Sequence, residues 1–335
     1  MSGLRDQFNR THRYLRLSLT DRCNLRCVYC MPAEGLQWIP SPDILTRAEI
    51  VYLSELFVEM GIEHIRLTGG EPTIRKDLLD IVSDLASIQD LNDLSMTTNA
   101  LTLSKLAAPL KDAGLKRLNI SIDSLQPERF SSLTRGGKLE KVLKGIDAAY
   151  AAGFGSSDAP IKLNIVVMSK KNDDEVLDFV RFSSEHPATI QPRFIEYMPF
   201  GKRLHQNTHT KSLQEQLATH TTLLSLDEDH TYTGPATYSM AKEYGVKVGF
   251  ISPISNRFCS TCNRLRLSAH GDLRACLAKE PHPTLRSVIR NPNHSRKDVQ
   301  TLIRNIVWGK VKGHQCATED NTPVPFEGIM TQIGG

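Results

Sequence analysis

Three cysteines stand near the start of the chain as Cys23-Asn24-Leu25-Arg26-Cys27-Val28-Tyr29-Cys30. The spacing is C-x3-C-x2-C, with no fourth cysteine nearby. Structural zinc and iron–sulfur sites are usually closed by four protein ligands. A triad leaves one metal position open, and an open position is where a small molecule can bind and react. Three buried structural cysteines, or part of a zinc site, are the plainer alternative. A second triad lies far downstream, in Phe258-Cys259-Ser260-Thr261-Cys262-Asn263-Arg264-Leu265-Arg266-Leu267 and then Cys276, spaced C-x2-C-x13-C. His270 or His282 would complete it as a zinc knuckle. Arg264 and Arg266, of one parity beside the triad, point instead to an anionic substrate: two guanidiniums next to a metal with an open position.

Between the triads lies Leu67-Thr68-Gly69-Gly70-Glu71-Pro72-Thr73. A Gly-Gly pair after a strand lets backbone approach a ligand closely. Glu71 then places a carboxylate at the mouth of a barrel, where such folds keep their sites.

These residues need a scaffold. Short β-like runs at 14–20, 63–68, 93–98, 116–123, 161–168 and 189–196 alternate with amphipathic helical runs. The helix expected over 46–60 opens with a capping box, Thr46 with Glu49, and stops at Gly61. Asn172 with Glu175 reads as a second capping box. Repeated strand–helix units predict an α/β fold with a parallel sheet, and six of them an incomplete (β/α)6 TIM-type barrel. From residue 232 the rhythm stops. Runs at 265–268 and 273–276 flank a hairpin turn, and a helix is expected over 296–307. The expected division is 1–231, a partial barrel, and 232–335, a C-terminal extension closing it.

The strands are not the continuous apolar runs of a parallel strand buried on both faces. Leu15, Leu17 and Leu19 take one face of the first, opposite Arg16 and Ser18; Ile65 and Leu67 oppose His64, Arg66 and Thr68. Leu118, Ile120 and Ile122 oppose Asn119, Ser121 and Asp123, while Lys162 pairs with Asn164 and Gln191 with Arg193. With the apolar faces against helices, the polar faces line the lumen. A dry core would not tolerate Arg16, Arg66, Lys162 and Arg193 without partners. A wet cavity with an anionic ligand resolves this; internal salt bridges to Asp123 and Glu196 are the alternative.

At 335 residues, 40% hydrophobic and 23% charged, the chain has a globular composition. A net charge of +4 suits anionic small ligands better than a nucleic-acid backbone. No signal peptide or run of about 18 apolar residues is visible, so no membrane is expected. Seven cysteines in an odd, clustered set read as metal ligands in a reducing compartment, the cytoplasm, rather than as disulfides. Cys316 reads as a free thiol.

Tyr29 completes the pattern C-x3-C-x-aromatic-C. Followed by Gly69-Gly70-Glu71-Pro72, it resembles the radical S-adenosylmethionine (SAM) enzymes, in which three thiolates hold a 4Fe–4S cluster and SAM chelates the fourth iron. Thr20-Asp21-Arg22 before the first triad, the run at 258–267 and the terminal Gly334-Gly335 narrow the resemblance. From about residue 15 to the end, the chain is similar to the GTP 3′,8-cyclases of molybdenum cofactor biosynthesis. That family implies a lyase converting GTP to (8S)-3′,8-cyclo-7,8-dihydroguanosine 5′-triphosphate, with SAM, two 4Fe–4S clusters and a reducing electron donor. It implies that Cys23, Cys27 and Cys30 hold the SAM cluster, and Cys259, Cys262 and Cys276 a substrate cluster. Tyr29, Gly70, Glu71, Ser121 and Met198 match SAM-contact positions. Arg16, Arg66, Thr97, Lys162, Arg193 and Arg264-Leu265-Arg266 match GTP-contact or lumen positions. Gly334 and Gly335 are implied to reach the active site. Strand alternation independently picks out Arg16, Arg66, Ser121, Lys162 and Arg193.

Three places depart from the family. Ala100 stands where glycine is common, 155–160 looks like a short insertion, and 200–210 lacks an expected tryptophan. The rivals are a radical SAM peptide-modifying enzyme with an auxiliary cluster, and a non-catalytic zinc or nucleic-acid-binding protein. Oligomeric state stays open, with a homodimer admitted.

Overall fold

The computed structural model describes residues 3–186, 189–198, 210–226, 234–279 and 284–314. Six parallel strands run in chain order: β1 (Tyr14–Ser18), β2 (His64–Thr68), β3 (Asp93–Thr98), β4 (Arg117–Ser121), β5 (Ile161–Val167) and β6 (Ile190–Glu196). Helices α1 (Arg47–Glu59), α2 (Leu78–Ala86), α3 (Leu103–Asp112), α4 (Pro127–Thr134), α5 (Leu139–Ala151) and α6 (Val176–Ser184) connect them. This is the expected six-unit βα frame. After α7 (Thr210–Ala218) come β7 (Leu223–Leu226), β8 (Thr237–Ala241), β9 (Val246–Ile251), β10 (Arg264–Leu267) and β11 (Leu273–Arg274). Short α8 (Leu285–Ile289) and α9 (Arg296–Trp308) follow.

The downstream strands do not form a separate sheet. They flank the frame on both sides, giving the order β11-β10-β1-β2-β3-β4-β5-β6-β9-β8-β7. Strand β10 pairs parallel with β1, and β9 parallel with β6. Both edges of an open six-stranded sheet, with their unpaired backbone groups, are thereby covered.

Alternation decides which side is core. Leu15, Leu17, Ile65, Leu67, Met96, Ile120 and Leu163 are fully buried in one cluster with Leu53, Leu56, Phe57, Ile81 and Leu85 of α1 and α2. The register then aligns the other face. Arg266 of β10, Arg16 of β1 and Arg66 of β2 are neighbours across three adjacent strands. A slip of one residue would drive all three guanidiniums into the apolar layer, so the hydrophobic face locks their alignment.

Local expectations held in part. Thr46 and Glu49 form the capping box of α1, and Gly61 follows it at φ +99°, in the left-handed region that favours glycine. Asn172 and Glu175 do not form one. The Asn172 Oδ1 accepts from the Met168 N–H at 2.8 Å, and its Nδ2 donates to the Asp123 and Val166 carbonyls at 2.7 and 2.9 Å. Glu175 accepts from the Ser124 hydroxyl and the Leu125 N–H. Both side chains tie the loop after β4 to the end of β5, which a capping motif read along the sequence cannot reveal. Conversely, Ser295 and Asp298 cap α9 reciprocally.

The exposed Thr46 cap and the buried Asn172 junction give a comparison. Thr46→Ala at an exposed cap is expected to cost about 1 kcal/mol. Asn172→Ala orphans several buried groups and is expected to cost at least about 2 kcal/mol. Urea unfolding should rank Asn172→Ala as clearly the less stable variant.

Candidate active site

The loop after β1 carries Cys23, Cys27 and Cys30 and is docked from two sides. On one side, the Gly70 N–H donates to the Thr20 carbonyl at 2.7 Å and the Glu71 N–H to the Arg22 carbonyl at 2.8 Å. A Cβ on Gly70 would stand 2.1 Å from the Arg22 carbonyl oxygen, so the glycine permits contact between loops. On the other side, Val28 and Arg26 donate their N–H groups to the carbonyls of Leu133 and Thr134. Arg135 Nη1 donates to the Arg26 and Met31 carbonyls, each at 2.8 Å. The Tyr29 hydroxyl donates to Asp123 Oδ2 at 2.8 Å, and Asp123 Oδ1 accepts from the Val166 N–H. Burial pushes the Asp123 carboxyl up to about 6 and the Cys23 thiol up to about 11. Thiolates here need a cation.

The Glu71 carboxylate ties two loops together. It is 1% exposed and accepts from the Thr73 N–H and hydroxyl, the Thr98 hydroxyl and the Asn99 N–H. Burial pushes its pKa up, and these four bonds oppose that. The side chain binds the β2 loop to the end of β3. Asn99 continues the chain of contacts, donating to Asn24 Oδ1 at 2.7 Å beside Cys23. Next to it, Ala100 sits at φ +61°. That is the left-handed region, which explains why glycine suits the position.

A cavity of about 980 Å³ opens between the two triads. Cys23, Cys27, Cys30, Cys259, Cys262 and Cys276 all border it. So do Tyr29, Gly70, Glu71, Ser121 and Met198, and Arg16, Arg66, Thr97, Lys162, Arg193, Arg264 and Arg266. Leu265 does not: it is fully buried in the core, because period two turns it away from Arg264 and Arg266. Gly334, Gly335, Cys316, His282 and 200–209 lie outside the described residues. Ser157, Asp158 and Pro160 of the apparent insertion also reach the cavity.

The cavity is cationic. Burial and the neighbouring Arg266 and Arg66 drive the Arg16 pKa well down. Burial and Arg264 bring Arg266 down to about 10. Burial and Arg193 bring Lys162 down to about 6. The internal salt bridges considered above do not form for Arg193, which donates to Asn119 Oδ1 at 2.8 Å and to Asn164 Oδ1. Arg66 donates to the Ser95 hydroxyl and lies over the Tyr14 ring. The Thr97 hydroxyl is buried with no hydrogen-bond partner among the described residues. A ligand with acceptor oxygens would satisfy it.

Tyr238 and Lys247 also line the cavity, with no sign of it in their local sequence. They arrive from β8 and β9, with the Lys247 ammonium 4.6 Å and the Lys162 ammonium 5.9 Å from the Tyr238 ring centre. Gly249 gives no hint in sequence either. A Cβ there would lie 2.8 Å from both Arg193 Cγ and Tyr238 Cε1, so its absence makes room for both.

Among the described residues no three His, Cys, Asp or Glu side chains converge as ligands of one metal ion would. His270 faces Asp272 Oδ1 and Arg286 Nη2 instead of the second triad. Each triad borders the cavity, where its three thiols could hold a metal cluster. Gly70→Ala is expected to leave the far-ultraviolet circular dichroism unchanged but displace the first cysteine loop. Iron bound per chain after anaerobic reconstitution should fall; full iron content would show that the loops tolerate separation.

The family description "Radical SAM superfamily" matches residues 17–183, and "Molybdenum Cofactor Synthesis C" matches 190–316. The chain is 43% identical over 348 residues to the GTP 3′,8-cyclase of Listeria monocytogenes serotype 4b, covering 100% of each. It is 44% identical over 339 residues to that of Pseudomonas entomophila, covering 99% of this chain and 98% of the relative. Molybdenum cofactor biosynthesis protein 1 of Drosophila melanogaster is 42% identical over 321 residues, 94% of this chain and 55% of that protein. In fold, Streptococcus suis SuiB bound to S-adenosylmethionine matches with a TM-score of 0.58 at 14% identity, over 92% of this chain and 69% of that one. Full-length identity above 40% to such relatives, on a radical SAM frame with both cysteine triads at one cavity, settles the family: the chain belongs to the GTP 3′,8-cyclases of the radical SAM superfamily.

Proposed function

We propose that this chain is a lyase that converts GTP to (8S)-3′,8-cyclo-7,8-dihydroguanosine 5′-triphosphate, an early step of molybdenum cofactor biosynthesis. The observation that carries this reading is the row Arg266, Arg16 and Arg66, in register and bordering the cavity that both triads share. Cys23, Cys27 and Cys30 would hold one 4Fe–4S cluster, and Cys259, Cys262 and Cys276 a second. When bound, the first cluster, reduced by an external electron donor, and SAM together supply the power to abstract a hydrogen atom from an unactivated C–H bond.

The chain's own residues do the rest. Gly70, Ser121 and Met198 would shape the SAM end, with Tyr29 fixed by Asp123. The arginine row, Lys162 and Arg193 would clamp the triphosphate, and the Thr97 hydroxyl would find an acceptor there. Arg264 and Arg266 join the two halves, since they flank the second triad and reach the row. Holding the ribose and the base in one orientation turns an intramolecular ring closure into the favoured path. Enclosure keeps water from competing. Residues 1–231 would supply the barrel and 232–335 the substrate cluster, with Gly334 and Gly335 completing the pocket. No described helix is long and apolar enough to cross a membrane; we take the reaction to be cytoplasmic.

The direct test is anaerobic incubation of the reconstituted protein with GTP, SAM and a reductant, followed by product analysis. The cyclised nucleotide, 5′-deoxyadenosine and about eight irons per chain are expected. Consumption of a peptide instead, or one zinc and no iron, would favour the rivals. Arg264→Ala and Arg266→Ala should each weaken GTP binding by about 1.5–3 kcal/mol and leave SAM binding intact. Binding to the wild type should also weaken as salt rises.

Lys162 gives a pH signature. With its pKa lowered to about 6 in the free protein, it is largely neutral at pH 7.5. A bound triphosphate favours the ammonium, so binding takes up a proton and affinity falls as pH rises above about 6. Calorimetry in buffers of different ionisation enthalpy should show this uptake, and Lys162→Met should abolish it. Equal uptake in the variant would assign the proton elsewhere.

A further inference from the structure

Lys310 lies just beyond α9 and is 3% exposed. Its ammonium makes three hydrogen bonds, all to the segment that carries the middle cysteine of the second triad. They run to the Arg264 carbonyl at 2.8 Å, the Cys262 carbonyl at 3.4 Å and Cys262 Sγ at 3.5 Å. An ammonium has three N–H donors, so its capacity is filled there. The charged groups that act most on it are Cys262, Arg10, Arg264 and Cys276. Two of these are cations. A buried ammonium beside two guanidiniums favours an anionic partner, and the ligand sulfur within its hydrogen-bond reach is Cys262 Sγ.

The placement is enforced from the other end of the chain. Arg10 donates from Nη1 to the Cys259 carbonyl at 2.7 Å and the Lys312 carbonyl at 3.0 Å, and from Nη2 to the Val311 carbonyl at 2.6 Å. Asp6 holds Arg10 Nε at 2.6 Å and faces His12 Nε2 at 3.0 Å, with all three side chains buried. Gln7 donates to the Lys310 carbonyl at 3.3 Å. The N-terminal arm thus fastens 310–312 to the turn at Cys259. A residue wanted only for packing at this depth would be apolar.

We propose that Lys310 is a positioning residue of the second cysteine site, hydrogen-bonding the Cys262 thiolate, fixing that ligand's orientation and raising the reduction potential of the cluster bound there. This rests on the reading that Cys259, Cys262 and Cys276 hold a cluster. Hydrogen bonds to ligating sulfurs tune cluster potentials. A cationic donor stabilises the more negative, reduced form, so its removal moves the midpoint to more negative values.

The test uses the reconstituted holoenzyme and two variants, Lys310→Met and Lys310→Arg, with iron analysis and a reductive titration followed by electron paramagnetic resonance. In the wild type, two clusters titrate. In Lys310→Met, the first cluster keeps its midpoint and the second moves to a more negative one; Lys310→Arg returns towards the wild-type value. A second-cluster midpoint unchanged in iron-replete Lys310→Met overturns the proposal. A wild-type protein with a single cluster overturns the two-cluster reading instead. If Lys310→Met does not load iron, Lys310→Gln, neutral but still a donor, is titrated in its place, and an unchanged midpoint there overturns the proposal equally.

Discussion

Three guanidiniums side by side, on strands about 5 Å apart, are the constraint on which the rest of this molecule turns. Like charges at that spacing repel, and burial strengthens the repulsion. The chain tolerates the row because the opposite faces of the same strands are apolar and fully packed. Fixing the leucines fixes the arginines. The strain is relieved by leaving the polar face open to a cavity of about 980 Å³ and furnishing it for an anion.

The arrangement of the sheet follows from this need. Arg16 and Arg66 belong to the barrel frame, but Arg266 comes from a strand some two hundred residues later. It joins the row because β10 pairs parallel with β1 rather than building a sheet of its own. The same pairing carries Cys262 to the cavity wall. At the far edge, β9 brings Gly249 opposite Arg193, and the missing Cβ leaves space for the guanidinium and for Tyr238. The downstream strands therefore cover two open edges and complete the cavity wall in one step.

The two triads sit in contrasting surroundings. Burial pushes the Cys23 and Cys27 thiols up, with carboxylates nearby adding to the effect. Burial would do the same to Cys262, but Arg264 and Lys310 bring it down to about 6. The first loop is held by backbone contacts and by Arg135, and the second by cations that act on the sulfur itself. Equivalent ligand types thus present different electrostatics at the two ends of one cavity.

Sequence alone determined the six βα units, the lumen face and most of the chemistry. Period-two alternation is a local property, so Arg16, Arg66, Ser121, Lys162 and Arg193 could be placed on one face without knowing their neighbours. Cysteine spacing is likewise local. The tertiary structure decided which distant groups meet. It showed Glu71 to be a strut between loops, because its four donors come from Thr73, Thr98 and Asn99. It turned Leu265 into the core and gave Asn172 to the β4–β5 junction instead of a helix cap. It brought in Tyr238, Lys247 and Lys310, whose local sequence carries no sign of the site. The physical reason is common to all of them. A side chain's face is set by its own strand, but its partners are set by strand pairing and burial across the whole chain, and no short-range pattern encodes those.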